Sequence, residues 1–280
     1  MSARARRRAN RAVLNLAAVV VVVCSVFPVY WMVNTAFQPG SSVKSETPQF
    51  WPSPFTLRSF ETAWTDGGFL PALGVSLSVT VLTVVAALLL AFLASIAVSR
   101  YRFRSRKAFI VAILVIQMIP AEAMIISTFR LLDGWHLLNT VIGLGAVYIA
   151  MVLPFTIWTL RGFVNGVPAE LEEAAMIDGC SRTQAFWRVT FPLLAPGLVA
   201  TGIFAFIQAW NEFVFALVIM TRPESQTLPI WLRSFVQATK ATDWAVVMAG
   251  STLMAIPVIV FFLIVQGRMT SGLVSGAVKG

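Results

Sequence analysis

Residues 141–160 read VIGLGAVYIAMVLPFTIWTL, and residues 161–192 continue RGFVNGVPAELEEAAMIDGCSRTQAFWRVTFP. The first stretch carries no charge. At about 1.5 Å per helical residue it is long enough to cross a hydrocarbon core of about 30 Å. The second stretch is polar and carries helix punctuation. Val167-Pro168 opens a helix, because proline fits a first helical turn. Glu170, Glu172 and Glu173 fall in that turn, where the helix dipole favours acids. Leu171, Ala174, Ala175 and Met176 include an apolar stripe, and Gly179 ends the helix. Ser181 caps a second short helix, Arg182 to Val189, before Phe191-Pro192 leads into another apolar run. The pattern predicts a helix–turn–helix held between two membrane spans.

Working outward, five more apolar segments appear. The whole chain of 280 residues is 58% hydrophobic and 12% charged, with a mean hydropathy of +0.81. Soluble domains run at about 45–50% apolar and about 25% charged. That excludes a soluble globular enzyme, a disordered chain and a disulfide scaffold. Spans are expected at 13–37, 71–99, 108–129, 141–160, 195–220 and 245–266. Only Glu122 interrupts the third and only Glu212 the fifth. In lipid, backbone polar groups must be satisfied within the segment, so each span is read as a helix. The first run is too long for a signal-peptide core, which is about 7–15 residues, so it is read as retained.

Orientation follows from the positive-inside rule. With the N-terminus in the cytoplasm, the arm at 1–12, the loops at 100–107 and 161–194 and the tail at 267–280 hold 15 of the 21 Lys and Arg residues. The external loops at 38–70, 130–140 and 221–244 hold 6. Both termini are therefore expected in the cytoplasm. Arg100, Arg102, Arg104, Arg106 and Lys107 form one short basic loop, a topology anchor beside anionic lipid rather than a nucleic-acid contact. The external loop 38–70 is punctuated by Pro39, Pro48, Pro52 and Pro54 and rich in aromatics. It has room for a short interfacial helix over Phe55 to Trp64. Its aromatics suit either a membrane-interface belt or a docking surface for an external partner.

Catalytic chemistry is scarce. His136 is the only histidine, so no His-based metal site or Ser/His/Asp set is available. Cys24 and Cys180 fall on different sides of the expected bilayer boundary and do not pair. No G-x-x-x-x-G-K-[ST] run occurs, so any nucleotide energy must come from another chain. Polar residues inside spans remain. Ionisable groups in lipid usually face protein or a water-filled path. Gln208, Asn211, Glu212 and Phe215 share one face of the fifth run, with Glu212 in its outer half. Gln117, Pro120 and Glu122 form a kinked polar spot in the third. Both sets fit a translocation path or gate, and both fit polar packing between helices.

The 161–192 loop resembles a known signature. Permease subunits of bacterial ABC importers carry E-A-A, three residues, G, nine residues, I, one residue, L-P. Here Glu173-Ala174-Ala175, Gly179, Val189 and Phe191-Pro192 stand at that spacing, with Val for Ile and Phe for Leu. Trp210-Asn211-Glu212 and the ending Ser275-Gly276-Ala277-Val278-Lys279-Gly280 look like the carbohydrate branch, in particular the shorter permease of the maltose-type pair. The resemblance implies an all-α membrane protein with six transmembrane helices and a cytoplasmic coupling-helix loop, in a bacterial inner membrane. It implies that Glu173, Ala174, Ala175, Asp178, Gly179 and Pro192 couple the chain to ATPase subunits. It implies a second homologous permease, an ATP-binding subunit dimer that holds the nucleotide, and an extracellular sugar-binding protein. The chain itself would be non-catalytic, without metal or cofactor. Its tail, 267–280, is similar to one that inserts between the ATPases. The alternatives are a non-sugar solute such as a glycerol phosphodiester, or a proton-coupled carrier using Glu122 and Glu212 as relay acids.

Overall fold

A computed structural model describes residues 3–45, 47–65, 68–236 and 242–276, with side chains described only between 11 and 267. The last four residues, Lys240, and the side chains of Arg4, Arg6, Arg7, Arg8 and Arg268 lie outside the described residues. Among the described residues the chain is helical and no strand occurs. The helices are α1 (Ala3–Ala36), α2 (Gly40–Val43), α3 (Arg58–Thr65), α4 (Phe69–Arg100), α5 (Arg106–Gln117) and α6 (Ile125–Gly134). They continue with α7 (Val141–Gly166), α8 (Glu170–Ile177), α9 (Arg182–Ala185), α10 (Phe191–Asn211), α11 (Val214–Ile219), α12 (Leu228–Ser234) and α13 (Trp244–Gly276). Among the described residues, five helices are long and apolar enough to cross a membrane: Arg11–Ala36, Phe69–Arg100, Val141–Gly166, Arg182–Asn211 and Trp244–Gly267.

Two apolar runs depart from a single straight helix. The third is broken between Gln117 and Ala121, and its halves are bent by 89°; taken as one span, the pair makes a sixth. Pro120 explains the break. It has no N–H, and it pushes the preceding residue away from helical angles. It is itself extended, with φ −59 and ψ 119. The fifth run ends its helix at Asn211, Glu212 is extended at φ −67 and ψ 130, and α11 starts anew at Val214. At its other end this helix does not begin at 195. It runs on from Arg182 through a π segment, Phe186–Thr190, in which the Phe191 N–H bonds to the Phe186 carbonyl. The expected pause before Phe191-Pro192 is thus a widened turn. Pro192 has no N–H for the usual i−4 bond, and π turns absorb such a mismatch.

The chain divides into two compact units. One comprises 1–69 and 231–258. In it α1 is exposed on all sides from Val13 to Val29, as befits a lipid-facing apolar helix. Its end is tied to the following loop: Asn34 Nδ2 and Gln38 Nε2 both donate to the Gln49 carbonyl, at 2.8 and 3.0 Å. Phe37 stacks on Phe55 at 4.9 Å, and Trp31 meets Phe50 edge-on. The Pro-rich loop is therefore pinned by aromatics, and its helix, α3, begins at Arg58.

The other unit comprises 70–230 and 259–280. Its axis is α7, which packs against α4, α5 and α10 through Ala87, Ala91, Val152, Ile157, Leu160 and Ala205. Small residues at such contacts let helices approach closely where no water drives them together. Thr156 and Thr201 satisfy their hydroxyls on the Val152 and Gly197 carbonyls of the preceding turn, at 2.7 and 2.8 Å. Thr140 caps α7 by accepting from the Gly143 N–H at 3.0 Å and donating to the Leu137 carbonyl at 2.7 Å. That carbonyl leaves no room at Gly143: an added Cβ would lie 2.2 Å from its oxygen. A backbone oxygen cannot swing aside. Gly143→Ala is expected to destabilise the protein by about 1–3 kcal/mol, read as a lower melting temperature in detergent; an unchanged melt would refute this packing.

Candidate functional site

Four of the five polar residues expected along a path come together. Glu122, Gln208, Asn211 and Glu212 line one cavity of about 290 Å³, with Tyr148, Met151, Val152, Ala209, Phe213 and Val214. Gln117 does not line it. The two breaks create this arrangement. Pro120 turns the chain so that Glu122 follows it in a 3-10 turn, Ala121–Met124. The halt at Glu212 opens the fifth run beside α7.

Glu212 is heavily engaged. Its Oε1 accepts from the Phe215 N–H at 2.8 Å. Its Oε2 accepts from the Ala216 N–H at 3.0 Å and from the Tyr148 hydroxyl at 2.7 Å. The carboxylate thus caps α11, taking donors that a helix start leaves unpaired, and ties it to α7. In the sequence Tyr148 is only one residue of an apolar span. The one signal in sequence was a phenol in a run of aliphatics, since a buried tyrosine hydroxyl needs a partner. Asn211 Nδ2 donates to the Ile207 carbonyl at 2.9 Å, which leaves its Oδ1 for the cavity. Gln208, Asn211 and Glu122 are exposed. The lining offers amides, carboxylates and apolar faces, and no Lys or Arg. That set suits neutral hydroxyl-bearing solutes.

The signature residues sit apart from the cavity, in the loop between α7 and α10. Glu173, Ala174 and Ala175 lie on α8, with Glu173 and Ala174 exposed and Ala175 half-buried. Asp178 is the C-cap and donates its N–H to the Ala174 carbonyl at 3.0 Å. Gly179 has φ 92. Its N–H meets the Met176 carbonyl at 3.1 Å and the Cys180 N–H meets the Ala175 carbonyl at 3.0 Å. This is the paired C-terminal bonding that a left-handed glycine permits. Ser181 and Gln184 then form a reciprocal capping box. Pro192 is exposed near the start of α10. Ile177, 87% exposed, and Leu171 present apolar surface from this polar loop.

One residue of α8 faces the other way. Glu172 pairs with Arg100 at 3.3 Å and accepts from the Thr190 hydroxyl at 2.6 Å. Arg100 also donates to the Val167 carbonyl at 3.0 Å. The sequence pointed to Glu172 only as a first-turn acid and to Arg100 only as part of a basic loop.

Residues 84–273 match the family model described as "Binding-protein-dependent transport system inner membrane component". The chain belongs to this family. The match takes in the cavity and α8 together. As a family member the chain is a multi-pass inner-membrane component of a transporter. It is 48% identical over 266 residues to the diacetylchitobiose uptake system permease protein DasC of Streptomyces coelicolor, covering 95% of this chain and 96% of the relative. It is 35% identical over 277 residues to the trehalose transport system permease protein SugB of Mycobacterium tuberculosis, covering 99% of each. Its fold is similar to a chain of a bacterial ABC transporter involved in the import of the acidic polysaccharide alginate. The TM-score there is 0.78 at 22% identity, over 95% of this chain and 98% of that one.

Proposed function

We propose that this chain is a permease subunit of an ATP-driven importer of a neutral disaccharide or short oligosaccharide. The carrying observation is a cavity lined by amides, carboxylates and a tyrosine without a basic residue, in a chain whose full-length relatives are named for disaccharide systems. The cavity is its share of the translocation path, the rest coming from a second homologous permease. Both termini and α8 lie in the cytoplasm, where Glu173, Ala174, Ala175, Asp178, Gly179 and Pro192 seat on a dimer of ATP-binding subunits. Those subunits hold and hydrolyse ATP; the chain uses no metal or cofactor. An external sugar-binding protein delivers the solute. A glycerol phosphodiester is the second candidate solute, but a phosphate favours arginine or lysine partners, and the lining has two carboxylates instead.

The test begins with a tagged chain drawn from native membranes in mild detergent. A second permease, an ATPase and a binding protein should follow it. The complex in proteoliposomes is then given ATP with trehalose or diacetylchitobiose. Loss of one neutral hydrogen bond is worth about 0.5–1.5 kcal/mol, so Asn211→Ala should raise the KM for uptake by about twofold to tenfold. An unchanged KM and Vmax would assign Asn211 to helix packing alone.

A further inference from the structure

Glu172 stands just outside the signature and has a large structural reach. It stands immediately before Glu173-Ala174-Ala175, yet its carboxylate turns inward. Thr190, its hydroxyl partner, is 1% exposed and is the last residue of the π segment that becomes α10. Arg100, its charged partner, is the last residue of α4, and its guanidinium also holds the carbonyl of Val167, the C-cap of α7. One carboxylate on α8 therefore gathers the ends of three long helices. The Arg100 and Glu172 side chains are only 20% and 18% exposed. Water does not compete freely there, so this pair is stiffer than an exposed one.

The far ends of two of those helices line the cavity. From Val167 back to Tyr148 on α7, and from Thr190 forward to Gln208 on α10, the path is about 27–29 Å at about 1.5 Å per residue. We propose that Arg100, Glu172 and Thr190 form a positioning joint, through which a displacement of α8 moves α4, α7 and α10 as one body and so reaches the cavity. The proposal rests on the importer function given above. It assigns to Glu172 an inward, force-bearing role distinct from the outward seating role of Glu173. Without the joint, α8 can tilt against the spans, and ATP is spent without moving solute.

The experiment uses the whole co-purified complex in proteoliposomes, with whichever of trehalose and diacetylchitobiose the wild type takes up. Solute moved per ATP hydrolysed is the readout, because a purely structural lesion lowers both rates and leaves their ratio alone. Coupling between sites is typically worth 5-fold to 150-fold, so Glu172→Ala should lower the ratio at least about fivefold. Glu172→Gln keeps an oxygen for both Arg100 and Thr190 and should stay within about twofold of wild type. Should Glu172→Ala fail to assemble, the near-isosteric Thr190→Val and the neutral Arg100→Gln replace it, each expected to lower the ratio. A wild-type ratio in these variants overturns the joint, and so does a parallel fall of ATPase and uptake at constant ratio. A wild-type complex without ATP-driven uptake overturns the importer function itself, and the joint with it.

Discussion

Gly179→Pro is expected to cut ATP-driven uptake at least about tenfold, the scale of a lost coupling between sites. The reason is backbone geometry. Gly179 sits at φ 92, whereas proline is fixed near φ −65°. Proline also removes the N–H that meets the Met176 carbonyl at 3.1 Å. With that bond lost and the chain turned the other way, the Cys180 bond to Ala175 cannot form either. The turn would then release Ser181 and the capping box that starts the next helix, so α8 would no longer hold a fixed angle to α10. Gly179→Ala separates conformation from crowding. Beyond its own two chain neighbours, no heavy atom lies within 4 Å of the position its Cβ would take. Its penalty is therefore only the left-handed conformation, about 1–2 kcal/mol, and a sizeable part of the uptake should remain. The order glycine, alanine, proline in uptake, measured on complexes that retain their ATPase, is the signature of a conformational requirement. Full uptake by Gly179→Pro would remove the turn from the coupling role.

The sequence made the turn legible because it is local. Pro168, expected in the first turn, instead stands two residues before α8, which starts at Glu170, but the three acids, the glycine and the serine lie within one short stretch, and each acts on its neighbours. The uncharged runs were legible for the same reason, since lipid acts on each span separately. What stayed hidden involves partners distant in the chain. Glu172 meets Arg100 from another helix, and Glu212 meets Tyr148, 64 residues away. No periodicity reports such pairings. Pro120 announced a disturbance in the third run, but an 89° bend depends on what the second half packs against. Leu132 of α6 joins the core of Val79, Leu144 and Phe215, and that burial sets the direction of the chain after the break. The polar residues of the third and fifth runs were found one run at a time. Their meeting in one cavity is a property of the tertiary fold, and Gln117, which falls before the break, is left out of it.

Glu212→Leu is expected to be the most destabilising change in the cavity. Three donors depend on its carboxylate: the Phe215 and Ala216 N–H groups and the Tyr148 hydroxyl. All three donor residues are buried, with Tyr148 2%, Phe215 3% and Ala216 0% exposed. Leucine leaves them without an acceptor, and each unsatisfied buried donor costs about 1–3 kcal/mol. The loss should therefore be at least about 3 kcal/mol, enough to show as a large drop in melting temperature and in the amount of folded protein. Glu212→Gln retains one acceptor oxygen in place of two and should fall between. Tyr148→Phe decides how the loss is shared. It removes one donor along with its need, so its own cost is smaller. Added to Glu212→Leu, it should cost less than the sum of the two single changes, because residues in one hydrogen-bond network are not additive. A melt of Glu212→Leu equal to wild type would show that the cap on α11 is dispensable. The same carboxylate would then be free to act on the solute alone. Strict additivity with Tyr148→Phe would show that α7 and α11 are held together by packing rather than by this bond.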